Sequence, residues 1–430
     1  MTSADSGALP LRTVDPADAE AVAAWSRVPQ VVFMRPVPED ADRAALESVE
    51  RMAGHRLSGV VDAGRWVATY RSFDSELTLP GTGPVSVNAV STVTVLPTHR
   101  RRGLLRRMIG EDLRRAREAG HALAVLIAAE APIYGRFGFG AATASANLVV
   151  DAGSLRFRAD APGGRGGAGG LELVEPSAVW RELAAVHDAS RRARPGGLLR
   201  EDVWWRQWTR PGARGALGPR AHVVLHRDGD GRADGYAAYE VSEEWAGRVS
   251  RCSARVLDLH AASPGAYRDL WGFLASLDWV RTLHAADRPV DEPLPLLLED
   301  PRAVQRTAVD DFLWVRPLDA AGALAARRYL GCGSLVLRVL DEGGPAAATV
   351  RVHVDPQRCG DDGWTCAEVT ATSQEPDVVL GAAELGALLL GGTSAVALAA
   401  AGRVVGSPSA VQQLQSLLAT PRAPWCPTWF

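Results

Sequence analysis

The sequence predicts three α/β or α+β domains in one chain. Its 430 residues exceed what one compact core usually contains. The first third has a strand, a loop, a helix and a second strand in the order of a parallel crossover, and the middle third repeats that order. The last third alternates strands with helices. We therefore expect domains at residues 1–155, 156–309 and 310–430.

The first domain has the clearest pattern of elements. Two helical segments precede a run of strands separated by Gly, Asp and Pro turns. Because a crossover brings the ends of its parallel strands to one edge of the sheet, we expect a ligand-binding edge where Val85–Leu96 ends. The predicted helices are Ala17–Trp25, Asp40–Met52 and Gly103–Ala119, and the predicted strands are Leu57–Ala63, Arg65–Asp74, Glu76–Leu79, Val85–Leu96, Leu123–Ala128 and Ala141–Asp151.

The two later domains contain further helices and strands. The Gly-rich run Arg158–Gly170 predicts a flexible surface loop or hairpin tip. The uncharged stretch Leu385–Gly402 is near the length of a membrane span, but its Gly-Gly-Thr-Ser break favours a buried helix, a turn and a strand at Ala395–Ala399. The predicted helices are Ser177–Arg192, Pro264–Leu277, Ala320–Tyr329, Gly381–Leu390 and Ser409–Leu418, and the predicted strands are Ala221–His226, Ala233–Val241, Cys252–Leu259, Ser334–Asp341, Ala347–Val354 and Glu368–Ser373.

Composition argues against nucleic acid, membranes and metals as partners. The net charge is −3, which gives no basic field for nucleic acid or membrane surfaces. The five cysteines and nine histidines lack metal-ligand spacing, so we predict no metal site. Free thiols and an N-terminus unlike a signal peptide predict a cytoplasmic protein, with a Cys359–Cys366 disulfide as a minor alternative.

The most informative motif joins a predicted strand to a predicted helix and runs from Val93 to Arg106. Unpaired amides at the start of a helix, with the helix dipole behind them, bind phosphate groups. Gly103 has no Cβ to keep the phosphates away, and arginines surround it. We therefore expect a pyrophosphate in this loop. The alternative, a solvated arginine run before a helix, is weakened by the strand, Pro, Gly and amphipathic helix around it.

A second motif follows the next predicted strand and carries a family resemblance. It reads Ile133-Tyr134-Gly135-Arg136-Phe137-Gly138-Phe139-Gly140. Together with the Arg-Arg-x-Gly loop, it resembles the GNAT superfamily of N-acetyltransferases. The fuller Arg-Arg-Arg-Gly-Leu-Leu version is similar, more narrowly, to the enhanced intracellular survival (Eis) family of aminoglycoside and lysine acetyltransferases. The resemblance implies tandem GNAT domains, the second degenerate, followed by a sterol-carrier-protein-like α+β domain. The Arg-Arg-x-Gly run is absent from the second domain, so we predict no cofactor there.

The resemblance also implies acetyl-CoA as the co-substrate and a role for each motif residue. Tyr134 would be the general acid that protonates the departing thiolate, and the terminal carboxylate of Phe430 would be the general base. Tyr134 could instead be a packing aromatic and Phe430 a frayed end, although Trp425 and Trp429 favour a buried tail. The implied cofactor residues are Val93, Thr94 and Val95 along the pantetheine arm, Arg101, Arg102, Gly103, Leu104, Leu105 and Arg106 at the pyrophosphate, and Ala129 and Glu130.

The implied acceptor is a primary amine, either an aminoglycoside-like small molecule or lysine. The resembling proteins hold cationic acceptors with acidic pocket residues, so Trp429 before the terminal Phe argues against polycationic aminoglycosides. The candidate pocket wall is Trp25, Phe33, Ser91 and Thr92. The resembling family forms hexamers, so we expect a homo-oligomer. The alternative function is a non-catalytic acyl-CoA-sensing or hydrophobic-ligand-binding protein on the same scaffold.

Overall fold

The structure, a computed structural model, describes residues 9–35, 41–162, 170–213 and 215–430. Asp40, the predicted start of a helix, and residues 163–169 of the predicted loop lie outside the described residues. The first segment contains, in chain order, β1 (Leu11–Val14), α1 (Ala19–Val32), α2 (Ala41–Met52), β2 (Arg56–Asp62), β3 (Arg65–Leu79), β4 (Gly83–Val95), α3 (Leu104–Glu118), β5 (Leu123–Ile127), α4 (Ala131–Tyr134), β6 (Gly140–Ala141) and β7 (Ala144–Asp151).

The rest of the chain adds two further segments. The middle one contains β8 (Gly170–Val174), α5 (Pro176–Arg192), α6 (Asp202–Thr209), β9 (Ala221–Arg227), β10 (Ala233–Ser242), β11 (Trp245–Ala246), β12 (Val249–Ser250), β13 (Cys252–Ala261), α7 (Pro264–Ala275), β14 (Val280–Pro289), α8 (Leu294–Leu297) and β15 (Val304–Asp311). The last contains β16 (Leu313–Pro317), α9 (Ala320–Ala326), β17 (Arg328–Tyr329), β18 (Gly333–Leu340), β19 (Ala348–Val354), β20 (Thr365–Ala371), β21 (Val378–Gly381), α10 (Ala382–Leu388), α11 (Ala395–Ala400), β22 (Val404–Gly406) and α12 (Pro408–Leu418).

Three sheets organise these elements. The first has the order β1-β2-β3-β4-β5-β16-β6, and the second has the order β15-β7-β14-β13-β10-β9-β8. The third has the order β17-β20-β19-β18-β21-β22, and β11 and β12 form a separate small ribbon. In the first sheet β4 and β5 are parallel and joined through α3, which is the predicted crossover.

The first two sheets exchange strands at one corner. The predicted strand Ala141–Asp151 is broken, so that β6 stays in the first sheet while β7 pairs with β14 and β15 in the second. The break is held by bonds from the amides of Ala142 and Thr143 to the Leu313 carbonyl and from Phe312 N to Thr143 O. The chain therefore passes between the two sheets twice at this corner, from β6 to β7 and from β15 to β16. The division at residues 155 and 309 stays a prediction.

Three further differences from the predicted elements have local causes. Residues 65–79 form one strand because Asp74 and Glu76, which suggested a turn, pair across to β4 without a break. The predicted helix Ala320–Tyr329 ends at Ala326, since the next residues pair with β20. The predicted strand at Ala395–Ala399 is wrong: this segment is α11, whose first turn is capped by the Ser394 hydroxyl.

The largest apolar core joins the first sheet to the C-terminal segment. It contains Phe73 and Leu77 of β3 together with Leu385 of α10 and Leu414 of α12, and Phe430 packs against it. The five cysteines are free, so the minor alternative of a disulfide is not formed. Among the described residues, no helix has the length and apolar character needed to cross a membrane.

The contact between α10 and the first sheet predicts one sensitive glycine. A Cβ on Gly140 would lie 1.8 Å from the Ala383 carbonyl oxygen. We expect Gly140→Ala to lower the free energy of unfolding by about 1–3 kcal/mol, because backbone must move to relieve the clash. Gly110→Ala on α3 is the control, since a Cβ there meets nothing within 4 Å. Thermal and denaturant unfolding measure both, and equal midpoints for the two variants would contradict the tight packing.

Candidate active site

A gap opens between β4 and β5 at the predicted ligand edge. In the described structure, the two strands pair only where Asn88–Val90 faces Ala124–Leu126. Beyond that point β5 continues beside β16, while Thr94 and Val95 remain paired with β3 on their other side. The edge of β4 that faces β5 therefore has no strand partner from residue 91 onward. An extended ligand can bind there through backbone hydrogen bonds.

The gap is caused by a bulge in β4. Thr92 has a φ of 52°, which is unfavourable for a β-branched residue, and the pairing with β3 shifts register beside it. The buried Thr69 hydroxyl holds the bulge, because it donates to the Thr92 carbonyl at 3.0 Å and lies 2.5 Å from the Thr94 hydroxyl. The Thr69 side chain therefore stabilises the strained backbone conformation of Thr92.

The loop after β4 has the form of an anion-binding concavity. It passes through a short turn at Pro97–His99, and then Arg101 (φ 65°) and Gly103 (φ 72°) adopt left-handed conformations before α3 begins. A Cβ on Gly103 would meet nothing within 4 Å, so the space above it is open. The first helical bond runs from Arg107 N to Gly103 O, which leaves the preceding amides for a ligand.

The residues implied to bind the cofactor lie along this edge, loop and neighbouring turn. Arg101, Arg102, Gly103 and Arg106 are exposed, while Leu104 is buried under the start of α3. The structure places Val93, Thr94 and Val95 at the end of β4, Arg101, Arg102, Gly103, Leu104, Leu105 and Arg106 across the start of α3, and Ala129 and Glu130 between β5 and α4. These groups fit an elongated molecule with a negatively charged pyrophosphate.

Tyr134 ends α4 and is buried in the apolar cluster of the first sheet and α3. Its ring meets Phe139 edge-to-face, and its apolar cluster includes partly buried Val93 and Val95 of β4. Burial, and then the negative charge of Glu130, raises the pKa of Tyr134 to about 12. The hydroxyl is therefore protonated at neutral pH and can act as a proton donor.

The terminal carboxylate lies where β4 leaves β5. The Ser91 hydroxyl donates to a carboxylate oxygen of Phe430 at 2.8 Å, one residue before the strained Thr92. The Phe430 ring packs edge-to-face on Phe73, with 5.9 Å between the ring centroids. The end of the chain is thus packed and hydrogen-bonded in place, beside the strand edge expected to bind the cofactor.

Two arginines of the middle segment hold the tail that leads to Phe430. Arg194 donates to the Ala423 carbonyl at 2.8 Å and pairs with Asp291, which accepts from the Ala423 amide. The buried Arg200 donates to the Thr428 hydroxyl at 3.2 Å and to the Pro427 carbonyl at 3.3 Å. The sequence did not predict this role, because both residues are more than 220 positions away from their partners.

Aromatic side chains add a second set of tail contacts. Trp425 bonds through its backbone amide to Pro195 O at 2.8 Å and through its indole N–H to Asp287 O at 2.6 Å. The indole of Trp429 donates to the Asp287 carboxylate at 3.0 Å. Trp429 is 59% exposed, so its side chain lies at the surface and not among the buried contacts of the tail.

The predicted pocket wall is partly wrong. Trp25 is fully buried and its indole donates to Ser58 O at 2.8 Å, so it belongs to the core between α1 and the first sheet. Phe33 is 37% exposed, and Ser91 and Thr92 are half-buried beside Phe430. The sequence analysis missed Arg71, although its place on β3 opposite Ser91 follows from the strand register.

Arg71 is an unusual component of this face. It is 8% exposed, donates to Ser91 Oγ at 3.0 Å and lies 5.4 Å from the centre of the Phe73 ring. Burial, and then the nearby Arg51, lowers the pKa of Arg71 to about 10. The guanidinium is still charged at neutral pH, and it is therefore a buried cation next to the hydroxyl that binds the terminal carboxylate.

Known proteins are similar to this chain over most or nearly all of its length. Family models for an acetyltransferase (GNAT) domain match residues 13–142 and 196–317, and a model for a sterol carrier protein domain matches residues 320–427. An uncharacterised N-acetyltransferase of Streptomyces avermitilis is 39% identical over 96% of this chain and 97% of its own. N-acetyltransferase Eis of Mycobacterium tuberculosis is 38% identical over 77% of each chain.

A solved structure has the same architecture. Eis1 from Mycobacterium abscessus matches 98% of this chain and 100% of its own, with a TM-score of 0.81 and 32% identity. Together with the family models, this match confirms the predicted order of two GNAT domains and a sterol-carrier-like domain.

The clamp on the tail predicts how easily the chain end is released. We expect Arg194→Met to make removal of Phe430 by carboxypeptidase at least about tenfold faster, because a charge-assisted hydrogen bond contributes about 1.5–3 kcal/mol. Arg192→Met is the control, since Arg192 is exposed and pairs with Asp188 on its own helix. Mass spectrometry follows the digestion. Equal rates for both variants and the native chain would show that Arg194 does not retain the tail.

Proposed function

The chain belongs to the Eis family of GNAT N-acetyltransferases, and from this premise we propose that it moves the acetyl group of acetyl-CoA directly to a primary amine. In this proposal the Phe430 carboxylate is the general base and Tyr134 the general acid. The observation that carries it is the bond from Ser91 to the Phe430 carboxylate, which lies where the β4 edge becomes free. Membership makes the chain an enzyme, so the non-catalytic alternative is set aside.

The strand gap and the loop are proposed to bind acetyl-CoA, which supplies the activated acetyl thioester. The free edge of Val93–Val95 would bind the amide-bearing arm, as a strand partner would. The first amides of α3, with the exposed Arg101, Arg102 and Arg106 around them, would hold the pyrophosphate. The bound molecule would then run from the start of α3 towards Ser91.

The Phe430 carboxylate would accept a proton from the acceptor ammonium. An amine must be neutral to attack a carbonyl, and a fixed carboxylate within hydrogen-bond reach, or one water away, removes the proton. Ser91 and the Phe73 ring hold the carboxylate in one orientation, which lowers the entropy cost of that contact. The second domain contributes by clamping the tail through Arg194 and Arg200.

Tyr134 would return a proton to the departing thiolate. Its raised pKa keeps the hydroxyl protonated, so it can donate a hydrogen bond to the sulfur as negative charge develops there while the carbon–sulfur bond breaks. The partly buried Val93, Val95 and Ile133 pack in the cluster of Tyr134 and limit the access of water to this end of the gap.

The acceptor, the location and the assembly are also parts of the proposal. We propose an aminoglycoside-like small molecule or lysine as the acceptor, a cytoplasmic location and a homo-oligomer, for which the family resemblance suggests a hexamer. The three domains are proposed at residues 1–155, 156–309 and 310–430.

Replacing the proposed acid separates catalysis from binding. We expect Tyr134→Phe to lower kcat about 100-fold while the acetyl-CoA dissociation constant changes by less than about threefold, because only the proton donor is removed. Free-thiol release gives the rate, and calorimetry gives the affinity. Tyr239→Phe, a buried tyrosine of the second sheet, is the control and should behave as the native enzyme. Unchanged turnover in Tyr134→Phe would remove Tyr134 from the mechanism.

Extending the chain tests the proposed base. We expect a Gly-Ser-Gly extension after Phe430 to abolish turnover with every amine of a panel that includes aminoglycosides and a lysine peptide, with acetyl-CoA still bound. The extension replaces the carboxylate at this position by a neutral peptide group, which is a poor base. The same tripeptide placed before Met1 is the control. Equal turnover in both forms would show that the Phe430 carboxylate is not the base, while the proposed acetyl transfer would remain.

A further inference from the structure

Arg71 is a buried cation without an acidic partner among the described residues. Its hydrogen bond to Ser91 uses one of five N–H donors, and its Nε has no partner. No ion pair joins Arg71 to an acid in the part of the chain that the structure describes. Burying an unpaired charge is costly, and it is seldom retained unless a ligand or another group neutralises it.

The position of Arg71 places it on the acceptor side of the first sheet. Side chains alternate along β3, and those of Tyr70 and Ser72 donate to Asp112 on α3. Arg71 and Phe73 therefore lie on the opposite face, where Phe73 stacks on His55 and meets the Phe430 ring. The face of Arg71 is the face of the terminal carboxylate.

Ser91 links Arg71 directly to the proposed base. Its hydroxyl accepts from Arg71 at 3.0 Å and donates to the Phe430 carboxylate at 2.8 Å. The guanidinium and the carboxylate are too far apart for a direct ion pair, but they are separated by only one hydroxyl. An amino group bound to the carboxylate would thus have its nearest substituents within reach of the guanidinium.

The charges around Arg71 disfavour an acceptor with several positive groups. The positive charges of Arg51 and Arg35 act on Arg71, while Glu201 opposes them. The residue before the terminal Phe is Trp429, which supplies no negative charge to a second ammonium. A buried guanidinium attracts an anionic group.

We propose that Arg71 binds the carboxylate of an acceptor that carries both an amino group and a carboxylate, so that the substrates are amino acids and related zwitterionic amines. This inference rests on the proposed acetyl transfer and narrows its acceptor to lysine and other amino acids rather than an aminoglycoside-like molecule with several positive charges. A guanidinium and a carboxylate form paired, charge-assisted hydrogen bonds, so Arg71 would fix the acceptor's orientation as well as its charge. The amino group would then point to the Phe430 carboxylate.

Matched pairs of acceptors test this selectivity. The ω-amino acids from glycine to 6-aminohexanoate are each compared with the alkylamine of the same carbon number, and kcat/KM is measured by thiol release and expressed per free base. For at least one chain length we expect the amino acid to be favoured at least about tenfold. No preference at any length, with alkylamines still acetylated, would overturn the inference and leave the proposed function standing.

Variants then assign the preference to Arg71. Arg71→Met is expected to lower kcat/KM for the favoured amino acid at least about tenfold more than it lowers that of the paired alkylamine. Arg71→Lys should keep part of the preference, since it keeps the charge but not the planar fork. Arg255→Met, which removes an exposed arginine of the second sheet, is the control.

Three further outcomes of these experiments also test the inference. An equal loss for both members of each pair in Arg71→Met would show that Arg71 only supports the tail, and would overturn the inference. If Arg71→Met does not fold, as judged by thermal unfolding, the preference of the native enzyme and of Arg71→Lys decides. If acetyl-CoA binds but no amine of any pair is acetylated, the inference fails, and the panel with aminoglycosides and a lysine peptide decides whether the proposed function stands.

Discussion

The hydrogen bond between Ser91 and the Phe430 carboxylate joins features that are far apart in the chain. Its donor lies on β4 at the bulge that opens the strand gap, and its acceptor is the end of a tail anchored in the middle segment. Neither the bulge nor the anchored tail is enough by itself to place the carboxylate beside the strand gap. Without the bulge the carboxylate would lie beside a closed ladder, and without the anchors the tail would carry the usual disorder of a chain end.

The middle segment has kept the fold of an acetyltransferase domain while its buried polar groups serve another purpose. Arg200 pairs with Asp258 at 2.5 Å, and Tyr236 donates to the same carboxylate at 2.8 Å. Burial alone would raise the pKa of Asp258, but Arg200 holds it well below its usual range. A buried pair of this kind is a weak source of net stability, yet it fixes the direction of the guanidinium, and that guanidinium points at the tail.

Local sequence patterns predicted the parts of the site that are contiguous in the chain. The loop from Val93 to Arg106 and the turn at Tyr134 each combine a strand end with a helix start, so a short motif contains most of their geometry. Arg71 and Arg200 gave no such signal, because Arg71 contacts Ser91 across a strand pair and Arg200 contacts the tail, so no short motif contains either contact. In an arginine-rich sequence without lysine, a single arginine also stands out little. The incorrect strand at Ala395–Ala399 has a different origin, since Ser394, which caps the helix, was interpreted as part of a turn.

The exchange of strands between the first two sheets has a consequence for how the chain folds. The edge of β5 that faces away from β4 is covered by β16. In the sequence, β16 follows β5 only after all the strands of the second sheet. Contacts of such high sequence separation form late, and an uncovered strand edge can pair with other chains in the meantime. During synthesis, the first sheet would therefore expose β5 until residues 313–317 leave the ribosome. Partly synthesised chains that end between β5 and β16 would therefore be the most prone to aggregate. Chaperones would be needed most while this part of the chain is being synthesised.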